Sequence, residues 1–238
     1  MLNGVKPWPE ATDSSLRSEL TNQRRARAVI WDVDGTLFDS SEYHRRAWKQ
    51  ALAGVGYDMT DADFERTFGL RNDSIMRILL GPEVTAETIH RVETGKENDY
   101  RRQVRDGGIE LLPGVRRWLE TLEATGWRQA IGSSAPKANL DLVLEVTDTR
   151  HYFDVIITGA DVTKGKPDPE VYLTAAAKLG VDIERCVVVE DAPEAVRGSM
   201  RAGIKTIAVR SSGGLGADVE VQTMDDLPAD AFERLVAF

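Results

Sequence analysis

Short apolar runs rich in β-branched residues constrain the fold of this chain more than any other feature. They lie at 28–31, 129–131, 155–158, 187–189 and 206–209. Most are apolar at consecutive positions, without the alternation of a strand that keeps one face wet. Such runs suit strands buried on both faces, as in a parallel sheet. Helical stretches separate them. Val115, Leu119 and Leu122 follow Pro113-Gly114 at helical spacing, and Leu140, Val143 and Leu144 follow Pro136. Val171, Leu173 and the alanine run at 175–177 follow Pro169, and 192–200 reads as a further helix closed by Gly203. Strands alternating with helices predict right-handed βαβ units. The fold class is therefore α/β: a doubly wound, Rossmann-like parallel sheet core. A short edge strand is expected at 219–223.

One region breaks the alternation. Tyr43, Ala47, Trp48, Ala51 and Leu52 form an apolar stripe that Gly54 and Gly56 stop. Ile75, Met76, Ile78 and Leu79 form a second cluster before Gly81-Pro82, and 85–104 is charged and helix-favouring. The expected organisation is an all-helical cap domain at 42–107, inserted into an α/β core domain of 26–41 and 108–238. Residues 1–25 read as a polar N-terminal extension.

Composition narrows the function classes. At 238 residues the chain is long enough to bury a substantial core. A net charge of −9 argues against a nucleic-acid partner held through phosphates. No stretch approaches the roughly 18 apolar residues of a membrane span, and the N-terminus has no apolar signal region. The single cysteine, Cys186, excludes an intrachain disulfide and opens an apolar run, so it reads as a buried small hydrophobe. The expected setting is cytoplasmic, as a monomer or weak dimer with no membrane partner.

The run at 28–31 delivers Asp32 and Asp34 into the turn Gly35-Thr36. Residues i and i+2 of a strand share a face, so strand geometry continued to Asp34 would aim both carboxylates the same way. Two close like charges need a cation or a shared proton. The pair thus asks for a hard metal ion such as Mg²⁺, for acid–base work, or for both; the plain alternative is an acidic turn. A calcium loop is excluded, because it wants Gly at its sixth position and Glu at its twelfth. Counted from Asp32, these are Leu37 and Tyr43. A Walker-type glycine loop is absent from the sequence.

Open parallel sheets bind ligands beyond the carboxyl ends of their strands. Those ends carry Asp32 and Asp34, Gly132-Ser133-Ser134, and Glu190-Asp191, while Lys164-Gly165-Lys166-Pro167 follows the strand at 155–158. Carboxylates, a hydroxyl and a lysine therefore converge on one rim. Taken singly, Ser133 and Ser134 also suit a helix cap, and Lys166 suits a surface position before a turn.

In order and spacing, Asp32-Val33-Asp34-Gly35-Thr36, Ser133, Lys166-Pro167 and Glu190-Asp191 resemble the haloacid dehalogenase superfamily of phosphoryl-transfer enzymes. The resemblance covers about 28–212, and the helical insert is similar to that superfamily's type-1 cap. It implies that Asp32 attacks phosphorus to form an aspartyl-phosphate, while Asp34 serves as general acid and base. It also implies a Mg²⁺ site built from Asp32, the backbone carbonyl of Asp34, Asp191, and Glu190 directly or through water. Ser133 would hydrogen-bond the phosphoryl group, and Lys166 would neutralise its charge.

The segment from Asp39 to Trp48 resembles the β-phosphoglucomutase branch, which implies substrate-side roles for His44, Arg71, Lys96, Ser134 and Lys137. The second aspartate disfavours a dehalogenase, whose leaving group needs no proton. The expected activity is a Mg²⁺-dependent phosphatase of small phosphorylated metabolites, with sugar phosphates the expected class. A β-phosphoglucomutase-like mutase is the alternative, and a catalytically silent binding protein on the same fold is a further one.

Overall fold

The computed structural model describes residues 26–236. The extension expected at 1–25 lies outside the described residues. Six strands form one parallel sheet: β1 (Ala28–Trp31), β2 (Arg128–Gly132), β3 (Val155–Ile157), β4 (Cys186–Glu190), β5 (Lys205–Ala208) and β6 (Val219–Glu220). Their order is β3-β2-β1-β4-β5-β6. The chain starts in the middle of the sheet, winds to one edge, then crosses back over β1 to build the other half. The crevice between β1 and β4 is the point at which that direction reverses, where ligands of such sheets bind.

Alternate residues of β1 serve opposite layers. Val29 and Trp31 join one core cluster with Leu119, Ile131 and Val189, while Ala28 and Ile30 join another with Tyr172 and Val188. Both faces are dry, which is why the strand shows no polar alternation. Burial of each such aliphatic side chain favours the fold by about 1.5–3 kcal/mol. The helices that cover these faces are α5 (Val115–Ala124), α6 (Lys137–Val146), α7 (Glu170–Leu179), α8 (Pro193–Arg201) and α9 (Ala231–Val236).

Four helices occupy the interruption between β1 and α5: α1 (Ser41–Ala53), α2 (Asp61–Thr67), α3 (Asn72–Leu80) and α4 (Ala86–Gly107). They enclose a cluster of their own, with Trp48, Leu52, Phe64, Ile75, Met76 and Val92 at its centre. Local chemistry starts two of them. At α2, Thr60 and Asp63 form a reciprocal capping box, and at α4 the Thr85 hydroxyl accepts from the Thr88 backbone N–H. The two connections that join the insert to the core run side by side: Phe38 bridges to Leu111, and Leu112 N–H donates to the Leu37 carbonyl at 2.9 Å. Among the described residues, no helix is long and apolar enough to cross a membrane.

Two details differ from the sequence expectation. Strand β1 ends at Trp31, and Asp34 instead forms an isolated bridge with Phe38 across the turn. The regular strand therefore does not continue to Asp34, and the two carboxylates line one cleft with different partners. On α7 the buried face includes Tyr172, while Leu173 is 42% exposed. The phenol reaches a buried polar partner that the apolar stripe gave no hint of.

Candidate active site

The strand ends bring Asp32, Ser133, Lys166, Glu190 and Asp191 to one cleft, with Asp34, His44, Lys96 and Ser134 also in its lining. The cleft encloses about 630 Å³ including its open mouth. Asp32 leaves β1 with its N–H bonded to the Val189 carbonyl at 3.0 Å, which fixes it against the end of β4. Lys166 lies on the loop after β3 and donates to Asp32 Oδ1 and Glu190 Oε1, each at 2.5 Å. That loop lies tight against α8. A Cβ at Gly198 would lie 2.2 Å from the Pro167 carbonyl oxygen, so the helix needs glycine there.

Glu190 is 1% exposed and Lys166 8%. Burial this deep is sustained because every oxygen of Glu190 is matched: Oε1 also accepts from the Tyr172 hydroxyl at 2.7 Å, and Oε2 accepts from the N–H groups of Asp191 and Ala192 at 2.8 and 2.9 Å. Asp191 is steadied by the Thr36 hydroxyl, which donates to its Oδ1 at 3.2 Å.

Asp32, Glu190 and Asp191 each place a carboxylate oxygen within 4.8 Å of the others. Among the described residues only one ammonium, Lys166, is paired into this trio. Burial and the Glu190 charge push the Asp32 carboxyl up to about 7, against the pull of Lys166. Burial, Glu190 and Asp32 likewise push Asp191 well above the ordinary carboxyl range. Burial disfavours the Lys166 ammonium too, but Asp32 and Glu190 more than offset it and hold its pKa well above the usual lysine value. Three carboxylates facing one cation carry surplus negative charge, and oxygen donors at this spacing match a hard divalent cation. The residues present fit such an ion.

Asp34 sits in a different environment. Its Oδ1 accepts from the Ser40 hydroxyl at 2.5 Å and lies 3.2 Å from His44 Nε2. His44 Nδ1 lies 2.9 Å from Lys96 Nζ. An ammonium can only donate, so Nδ1 accepts, and Nε2 carries the proton it gives to Asp34. Burial raises the Asp34 carboxyl, yet His44, Ser40 and Lys96 together hold it below its ordinary value. The imidazole stacks on Tyr100 at 4.1 Å between ring centres, which fixes its plane.

Lys96 also donates to Glu97 Oε1 at 2.8 Å. Glu97 then links the insert to the core: it accepts from Asn72 of α3 at 2.7 Å and from Asn139 of α6 at 2.5 Å. Arg101, one turn further along α4, donates to the Asn139 side-chain oxygen at 2.8 Å.

Two residues expected at the substrate lie elsewhere. Arg71 is not in the cleft lining. It precedes α3, its guanidinium faces Asp73 and the Thr163 carbonyl, and the next residue, Asn72, takes the lining position. Lys137 pairs with Asp141 at 2.6 Å on the exposed side of α6, because i and i+4 share a helix face. Ser133 is buried, and its Oγ accepts from the Ala135 N–H at 3.0 Å. The sequence reading missed Tyr172, Ser40 and Glu97. Only Ser40 carried a local signal, a hydroxyl immediately ahead of α1.

A doubly wound sheet whose reversal point gathers carboxylates and a buried lysine, faced by an inserted helical bundle, defines a hydrolase of the phosphoryl-transfer type of architecture. The chain belongs to the haloacid dehalogenase-like hydrolase family, whose sequence model matches residues 29–209. It is 32% identical over 212 residues to a β-phosphoglucomutase from Bacillus subtilis, covering 84% of this chain and 91% of the relative. It is 30% identical over 223 residues to hexitol phosphatase B from Escherichia coli, covering 88% and 98%. CbbY from Rhodobacter sphaeroides, solved in complex with xylulose-1,5-bisphosphate, superposes with a TM-score of 0.76 at 25% identity, covering 85% and 96%.

Proposed function

We propose that this protein is a Mg²⁺-dependent phosphatase of small phosphorylated metabolites, with sugar monophosphates as its substrates. The observation that carries this reading is the division of the aspartate pair. Asp32 is held by Lys166 beside two further carboxylates, while Asp34 is held apart by His44 and Ser40. Two carboxylates in unlike environments suit two unlike roles.

Asp32 and Asp191, with Glu190 behind them and the Asp34 backbone carbonyl, would hold the metal. When bound, Mg²⁺ offsets phosphate charge and orients its oxygens. Lys166 fixes one Asp32 oxygen and adds positive charge where the phosphoryl group arrives. Asp32 then attacks phosphorus as the bond to the leaving oxygen breaks. Asp34 rests ionised among its donors. An incoming phosphate dianion raises its proton affinity by like-charge repulsion, so it takes up a proton from solvent and delivers it to the leaving oxygen, which departs as the alcohol. In the second half-reaction the carboxylate of Asp34 removes a proton from water as the water attacks phosphorus. The bond to Asp32 breaks and free phosphate leaves. The Ser133 hydroxyl donates to a phosphoryl oxygen throughout.

A phosphosugar mutase is the second reading, and the His44–Asp34 contact suits it equally. It would need a cation for a second phosphate at the far end of the sugar. Arg71 lies outside the lining, against Asp73 and the Thr163 carbonyl, and the lysines in the lining are already paired: Lys166 with Asp32 and Glu190, and Lys96 with Glu97. This favours one phosphate and water as acceptor. The intact set of polar groups disfavours a silent binding protein.

With Mg²⁺, the protein should hydrolyse an aryl phosphate, EDTA should stop it, and Asp32→Asn should lose at least about 10³-fold in kcat. Full activity in that variant would sink the nucleophile assignment. Sugar phosphates assayed for both phosphate release and isomerisation should show release alone.

A further inference from the structure

One buried polar group beside the cleft belongs neither to the carboxylate trio nor to the network around Asp34. It is the phenol of Tyr172, the third residue of α7, which is 1% exposed. Its hydroxyl donates to Glu190 Oε1 at 2.7 Å, the same oxygen that accepts from Lys166 Nζ. A phenol keeps its proton at neutral pH and a carboxylate can only accept, so the direction of this bond is fixed. The ring lies under the same ammonium, with 5.2 Å from its centre to Lys166 Nζ. Room for the ring comes from Gly132 at the end of β2, where a Cβ would stand 3.3 Å from Tyr172 Cδ1. The aromatic body is thus set between the lysine and the strand end that leads into Ser133.

The same helix holds the Lys166 loop at a second point. Glu170, in the first turn of α7, accepts from the N–H groups of Thr163 and Lys164 at 2.9 and 2.8 Å. Helix α7 therefore grips the loop by its backbone and the lysine by its ammonium.

That ammonium is shared between two carboxylates, at 2.5 Å from Asp32 Oδ1 and from Glu190 Oε1. The two compete for it, and attraction between opposite charges is strongest where water is excluded. Glu190 is the deeper of the two, at 1% exposed against 6% for Asp32. The phenol, by donating to Oε1, takes up part of the acceptor capacity that Glu190 would otherwise turn wholly on Lys166.

We infer that Tyr172 is a positioning residue: its hydroxyl restrains Glu190 from capturing the Lys166 ammonium, and so keeps Lys166 bonded to Asp32 and the nucleophile in one orientation. The catalytic consequence rests on the phosphatase reading; the sharing of the ammonium stands on the geometry alone.

The test is Tyr172→Phe in the full chain, which keeps the ring under Lys166 and beside Gly132 and removes only the hydroxyl. With Mg²⁺ and an aryl phosphate, kcat should fall about 10- to 100-fold, as when a partner that orients a site residue is lost, while KM stays within about twofold. A role in packing alone predicts wild-type kcat in Tyr172→Phe and a loss only in Tyr172→Leu. The second readout needs neither metal nor turnover. In metal-free protein with isotope-labelled lysine, the NMR resonance of the Lys166 ammonium is identified by its loss in Lys166→Met. Asp32→Asn should move that resonance in the wild-type background and leave it nearly unmoved in Tyr172→Phe, where the bond to Asp32 has already been given up. Equal shifts in the two backgrounds overturn the inference, and so does wild-type kcat in Tyr172→Phe. Absence of hydrolysis by the wild-type protein with every ester would overturn the phosphatase reading instead, and the resonance would still decide whether Tyr172 governs the sharing of Lys166.

Discussion

At Gly35 the backbone turns with φ of +94°, and a Cβ there would lie 2.1 Å from Asp191 Oδ2. The turn after Asp32 thus brings its backbone to within touching distance of a carboxylate from β4. Gly35→Ala combines an unfavourable backbone, costing about 1–2 kcal/mol, with displacement of Asp191. Hydrolysis and Mg²⁺ affinity should each fall roughly 100-fold, as when a group that orients a metal ligand is lost. Titration of activity against Mg²⁺ checks this; a variant with wild-type metal dependence would remove Asp191 from the ligand set. The residue types of the site were legible in the sequence, because Asp32, Ser133, Lys166, Glu190 and Asp191 each stand just beyond an apolar run or its loop. What each touches was not legible. Tyr172 reaches Glu190 from a helix read as purely apolar, and a helical period does not report which polar tip meets a buried partner.

Among elements, α4 does two jobs. Its Lys96 orients His44, while Glu97 and Arg101 hold Asn139 at the start of α6. The insert is therefore docked on the core by a buried, partly charged set of hydrogen bonds. Hydrogen bonds to a charged group contribute about 1.5–3 kcal/mol. Asn139→Ala should lower stability by that order and speed amide exchange along α4; unchanged exchange there would mean that the contact does not hold the insert. Its pH dependence has a definite sign. Burial raises the Glu97 carboxyl, but Lys96 and His44 outweigh it and hold it below its ordinary value of 4.5. A depressed carboxyl contributes stability above its unfolded-state pKa and loses it as pH falls through the folded one. The stability gap between wild type and Glu97→Gln, measured by urea denaturation, should accordingly narrow from about pH 7 to about pH 3.5. The strands and helices themselves were readable from hydrophobic period, with ends shifted by a residue at β2, β3, β4 and β5 and the edge strand β6 stopping at Glu220, short of the expected 223. Arg71 and Asn72 show the limit of such reading: one residue of helix phase decides which of them faces the cleft.

For the whole molecule, the clustered carboxylates at the reversal point of the sheet lead to a prediction that couples folding to a divalent cation. A cation that binds only the folded state stabilises it by about 2.7 kcal/mol at a concentration of 100 Kd. For a chain of this size that corresponds to a rise in Tm of roughly 5–10 °C. Mg²⁺ should produce this shift in a thermal scan and EDTA should reverse it, while Asp191→Asn should weaken it; no shift at millimolar Mg²⁺ would count against the trio as a metal site. The sequence by itself determined the parallel sheet, the helical insertion and the residue types at the strand ends, because apolar period and turn chemistry act between near neighbours along the chain. Only the tertiary structure decided that Asp32 and Asp34 meet different partners in one cleft, that Glu97 reaches Asn139, and that Trp48, Phe64 and Ile75 of the insert line that cleft. Those outcomes depend on contacts between segments tens to more than a hundred residues apart, where direction and distance are set by how whole elements are packed together.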